Sequence, residues 1–213
     1  MTKMTDKIYL HAINSSSVYN SYDTLEKLSK ILASGALLSP RLQGKKIVNY
    51  SFAGDDYISL CDYEKRFFVQ TEDNFYNAYY GYILNSLSLM FYKDSIKAVE
   101  PTIVGISNRN WSGYLKMQKL GNSEGTRYSD MPDEVQVKDC IALNKLVGVT
   151  FPTRLLRHGI FRCKNSANTI RKEILLIRKC LDYYGYSVPI YDIDTLYEME
   201  CEENIEKILK KIR

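Results

Sequence analysis

Short apolar segments of strand character, scattered from one end of the chain to the other, constrain the fold more than any other feature. Lys7–Ile13 (KIYLHAI), Ile47–Phe52, Tyr57–Cys61 (YISLC), Leu87–Tyr92, Glu134–Asp139 (EVQVKD), Leu146–Phe151 and Val188–Ile193 each read as a strand. Helical spacing is confined to three places. Leu25, Leu28, Ile31 and Leu32 share a face behind a cap at Asp23 or Thr24, with Gly35 as the stop. Ile170, Ile174, Ile177 and Leu181 do the same within Thr169–Tyr184, and Glu203–Ile212 forms a terminal amphipathic helix. Ala36–Gly44 reads as a turn region, and Asp94–Ala98 and Ala142–Lys145 as single helical turns. Dispersed short strands with few long helices predict an α+β fold.

The 213 residues contain no repeat and no low-complexity linker. They read as one domain over 1–213, with a C-terminal helical extension from about 195 to 213. The N-terminus (MTKMTD) lacks the apolar core of an export signal, and no apolar run reaches the length of a membrane span. The expectation is a cytoplasmic monomer without a membrane partner, or a protein delivered by a specialised secretion system. Five widely spaced cysteines without a CxxC pair, and only His11 and His158 beside them, argue against a zinc site.

The formal charge of +4 is unevenly distributed. Arg154, Arg157, Arg162, Lys164, Arg171, Lys172, Arg178 and Lys179 form a basic band opposed only by Glu173, and an acidic stretch follows. Such a band either steers an anionic partner such as nucleic acid or is a solvated face balanced by the acidic tail. The first alternative makes the chain a non-catalytic nucleic-acid-binding module using residues 154–179.

A second candidate lies around Glu134. In Met131–Asp139 (MPDEVQVKD), Val135 and Val137 alternate with Glu134 and Gln136, giving one apolar and one polar strand face. A carboxylate and an amide side by side can hold a sugar hydroxyl and stabilise positive charge at its anomeric carbon. The long polar loop before it, Arg109–Asp133, carries Trp111, Tyr114, Lys116, Arg127, Tyr128 and Met131. Loops of that length are usually functional. Exposed Trp, Tyr and Arg anchor protein partners and also stack on unpaired bases.

Four segments stand in a telling order: YLHAIN at Tyr9–Asn14, GALLSPR at Gly35–Arg41, DYISL at Asp56–Leu60, and DEVQV at Asp133–Val137. This order resembles the ADP-ribosyltransferase superfamily, and within it the DarT-like toxins and related bacterial effectors. The resemblance implies a split β-sheet core with peripheral helices, NAD as co-substrate, and transfer of ADP-ribose to a protein side chain or nucleic-acid base. Glu134 matches the family's catalytic glutamate. His11 would hydrogen-bond a ribose hydroxyl, the backbone of Ala12 would meet the nicotinamide amide, and Asn14 would contact the cofactor from its loop. Arg41 would grip the pyrophosphate, and Tyr57 and Ser59 would wall the nicotinamide. Trp111, Tyr114, Arg127, Tyr128 and Met131 would read the acceptor. A toxin of this kind implies an immunity or antitoxin protein as partner. Pro132 stands where arginine-specific relatives carry an acid or amide, which disfavours arginine as the acceptor. Leu60–Arg66 (LCDYEKR) departs from the DarT-type aromatic-Pro-Arg segment, which weighs against a DNA base.

Overall fold

The computed structural model describes residues 7–13, 21–45, 56–64, 83–99, 134–157, 161–164 and 166–193. In chain order the elements are β1 (Ile8–Ala12), α1 (Ser21–Ser34), β2 (Ala36–Leu38), β3 (Tyr57–Asp62), β4 (Ser88–Tyr92), β5 (Glu134–Lys138), β6 (Cys140–Ala142), β7 (Leu146–Phe151), β8 (Arg154–Arg157), β9 (Phe161–Lys164), α2 (Ala167–Tyr183) and β10 (Ile190–Asp192). Six strands form one sheet in the order β10-β7-β4-β1-β3-β5, and β2–β6 and β8–β9 form separate two-stranded ribbons. Every pairing is antiparallel except β10 with β7. The α+β expectation therefore holds.

Two apolar clusters fill the two faces of this sheet, as period-2 alternation requires. On one face Ile58, Leu60, Leu89, Phe91, Val135, Val137, Val149 and Phe151 meet Leu28 and Leu32 of α1 and Ile170, Ile174, Ile177 and Leu181 of α2. The helices are also tied to each other, Ser21 Oγ donating to Glu173 Oε2 at 2.6 Å. On the other face Ile8, Leu10, Ala12, Cys61, Tyr63 and Met90 pack with Ile83, Leu84 and Ile193. No helix among the described residues is long and apolar enough to cross a membrane.

Several boundaries differ from the sequence expectation, each for a local reason. Helix α1 begins at Ser21, so Thr24 lies inside it and is buried instead of capping it. Gly35 does end the helix, at φ +68°. Helix α2 begins at Ala167 because Ser166 caps it, its Oγ accepting from Thr169 N at 3.1 Å. Part of the expected turn region is strand β2, paired residue by residue with β6. The helical turn expected over Asp94–Ala98 is a 3-10 turn at Lys93–Ser95. Hairpin β8–β9 had no expectation, since its four-residue strands are read first as charge. The expected strand at Ile47–Phe52, the Arg109–Asp133 loop and the terminal helix lie outside the described residues.

Candidate active site

Strands β1, β3 and β5 are neighbours in the sheet, which brings together residues far apart in sequence. Glu134 begins β5 and pairs in register with Cys61, and Gln136 pairs with Ser59. Directly paired residues point to the same face, so Ser59, Glu134 and Gln136 share the face opposite the helices. Ser59 Oγ donates to Glu134 Oε1 at 2.6 Å, within the short range of a hydrogen bond to an ionised acceptor. Glu134 is 4% exposed and Gln136 2%. The carboxylate thus lies in a buried site, where a charge's field is screened far less than in water. Gln136 Nε2 is buried with no hydrogen-bond partner among the described residues, an unused donor beside that carboxylate. Tyr57 is half-buried on the same face, two residues before Ser59.

The ladder between β1 and β3 stops at Leu10↔Cys61. One residue on, the His11 ring takes over: Nδ1 lies 2.8 Å from the Ser59 carbonyl oxygen. A carbonyl only accepts, so Nδ1 carries the proton. Burial pushes the ring's pKa below its usual value, against the smaller opposing effect of the Ser59 bond. The ring is therefore neutral at pH 7, with an unprotonated lone pair on Nε2. Ile13 N donates to Leu87 O, just before β4. Alternation then directs the backbone N–H and C=O of Ala12 the other way, toward β3, where pairing has ended. The outcome is a notch in the β1–β3 pairing, edged by Ala12, His11 and Ser59. Strict alternation sends the His11 side chain to the helix-covered side and Glu134 to the other, so the two communicate through the two ends of Ser59, carbonyl and hydroxyl.

The depressed His11 pKa has a consequence for stability. Between the folded pKa and the unfolded value near 6.5, the unfolded chain binds more protons, so stability rises with pH across that window and is lost on acidification below about pH 6.5. The urea midpoint is expected to fall between pH 7 and pH 5 in the parent protein. In His11→Asn, whose amide N–H can still reach the Ser59 carbonyl, that component should vanish. Equal pH slopes in both proteins would show that the ring titrates without coupling to folding.

Arg41 is not brought to this notch. It is exposed, with its Nε paired to Asp56 and its Nη2 2.7 Å from Asp139 Oδ1. Asp139 lies five residues beyond Glu134, roughly 17 Å along an extended strand. The hydrogen bond of Arg41 to Asp139, together with the field of Asp56, raises the guanidinium's pKa further. The pair also closes a corner: Ser39 N donates to Asp139 O at 2.7 Å and Asp139 N to Asp56 O at 2.8 Å, with Asp139 at φ 63°. Arg41 thus stitches the β2–β6 ribbon to the far end of the β3–β5 pair. Asn14 and the loop residues Trp111, Tyr114, Arg127, Tyr128 and Met131 lie outside the described residues.

The basic band is divided between hairpin β8–β9 and helix α2. Within it, Arg178 Nη2 donates to Val188 O at 2.7 Å and so serves the fold, while Lys172 and Lys179 are exposed. Among the described residues no group of three or more His, Cys, Asp or Glu side chains is placed to hold a metal ion.

No protein-family model and no curated protein matches this chain. Among solved structures, Thermus sp. 2.9 DarT in complex with carba-NAD+ is similar to it at a TM-score of 0.41. The two are 12% identical, over 90% of this chain and 97% of that one. Similarity at that level carries no argument about the notch.

Proposed function

We propose that this protein is an NAD-consuming mono-ADP-ribosyltransferase of the toxin or effector type, acting on a protein side chain or a nucleic-acid base. The observation that carries the reading is the linked set His11–Ser59–Glu134 beside the interrupted ladder at Ala12. It arises from three of the four segments whose order resembles the superfamily. In the reaction the bond between nicotinamide and ribose breaks, nicotinamide leaves with the bonding pair, and an acceptor nucleophile forms the new bond to the anomeric carbon while losing a proton. A buried carboxylate facing that carbon lowers the cost of its developing positive charge. The Ser59 hydroxyl orients Glu134, and the Nε2 lone pair of His11 accepts from a ribose hydroxyl. The Ala12 backbone offers one donor and one acceptor to the carboxamide, and Tyr57 packs against the ring. A ligand lodged in the notch meets both sheet faces, which reconciles the opposite directions of His11 and Glu134. Arg41 receives no role in this scheme.

Purified protein incubated with labelled NAD+ and a cell lysate, divided into nuclease-treated and protease-treated halves, tests the reading. Label on macromolecules supports it, and the treatment that removes the label names the acceptor class. Intact NAD+ and no labelling would leave the nucleic-acid-binding module, which instead requires binding that weakens steeply with salt and ignores Glu134. Ser59→Ala removes a hydrogen bond to a charged group and is expected to slow NAD+ turnover roughly 10-fold. An unchanged rate would mean that Ser59 does not orient the carboxylate.

A further inference from the structure

We propose that Ser88 and Thr150 form a ligand subsite continuous with the notch at Ala12, taking a group that presents two polar atoms side by side, a carboxamide or a ribose diol. Ser88 pairs in register with Ala12 on one side and with Thr150 on the other. The three residues therefore form one row across β1, β4 and β7, on the same face as Leu10 and Met90 and hence as Glu134. Strand spacing puts Ser88 about 5 Å and Thr150 about 10 Å from Ala12. Both side chains are fully buried, at 0% exposure. Among the described residues neither Ser88 Oγ nor Thr150 Oγ1 has a hydrogen-bond partner. Buried hydroxyls without partners are uncommon in folded proteins, and two of them directly opposed at one level of a sheet are rarer still. Alanine and valine would fill the same volume without that cost. Gln136 Nε2, also buried and without a partner among the described residues, lies at the level of Ser59 across the notch. Unused polar atoms thus flank the opening on both sides, as a ligand lying across the strands would require.

The subsite rests on the transferase reading, and one set of titrations separates the two. NAD+, ADP-ribose and nicotinamide are titrated calorimetrically into the parent protein, Ser88→Ala, Thr150→Val and Thr150→Ser, with melting midpoints taken without ligand. Ser88→Ala and Thr150→Val should melt at or above the parent, since each removes an unpaired buried hydroxyl, yet bind NAD+ about 3- to 10-fold more weakly. Thr150→Ser keeps the hydroxyl and should bind like the parent. A loss shared with nicotinamide assigns the carboxamide to the subsite, and a loss shared with ADP-ribose assigns a ribose diol. Parent-like binding by Ser88→Ala and Thr150→Val overturns the subsite and leaves the transferase reading standing. A marked fall in their melting midpoints also overturns it, because the hydroxyls would then serve the fold. No binding of any of the three ligands by the parent protein overturns both.

Discussion

Glu134→Gln is expected to reduce NAD+ consumption by roughly 10²- to 10³-fold, the loss typical when one preorganised electrostatic stabiliser is removed. The substitution is nearly isosteric, and glutamine keeps an acceptor oxygen for the Ser59 hydroxyl now 2.6 Å from Oε1. What disappears is the negative charge that the proposed reaction sets against the developing positive charge. Stability should move little, by about 1 kcal/mol or less. Neutralising a buried carboxylate relieves its desolvation, which offsets the weaker bond from Ser59. The diagnostic result is a collapsed turnover number with an unmoved denaturant midpoint. Turnover within threefold of the parent would remove Glu134 from the chemistry. A large fall in midpoint would make it a structural carboxylate.

The largest loss of stability is expected from Phe91→Ala, on the order of 3–5 kcal/mol. Phe91 is fully buried and lies in β4 between two neighbours, pairing in register with Tyr9 of β1 and Leu146 of β7. The ladder shifts register between Met90 and Phe91, and the ring packs in the core on the helix-covered face. Its removal leaves a cavity between the sheet and the helices. Total stabilities of small domains are about 5–15 kcal/mol, so this one change approaches global unfolding. The check is a urea titration in which the midpoint falls and the slope stays constant. A loss under about 1 kcal/mol would mean that neighbouring side chains collapse into the space.

The strands that carry the site were legible because alternation is a local property. Val135 and Val137 against Glu134 and Gln136 identified β5 and its polar face, and Tyr57–Cys61 read as the strand that is β3. Elements held by distant partners were not legible. Ala36–Leu38 and Cys140–Ala142 are three residues each, too short to show a period, and exist as strands because they pair with one another. Arg41 next to Pro40 could be read as a turn residue, but nothing local says that Asp56 and Asp139 converge on its guanidinium. Ser88 and Thr150 are ordinary strand residues in the sequence, and their opposition follows from the β4–β7 register alone. Gln136 was visible beside Glu134, whereas its missing partner becomes apparent only once burial is known.

The three strands of the notch touch in space but are distant along the chain: His11 and Ser59 are 48 residues apart, and Ser59 and Glu134 are 75. Contacts of such long sequence separation carry a large loop-closure cost and slow the search for the native state. Synthesis proceeds from the N-terminus, so the histidine and serine emerge well before the glutamate that completes the set. In a ribosome-bound chain the linked set is therefore incomplete until β5 has been made and has found its place beside β3. Late completion of the set is built into the strand order.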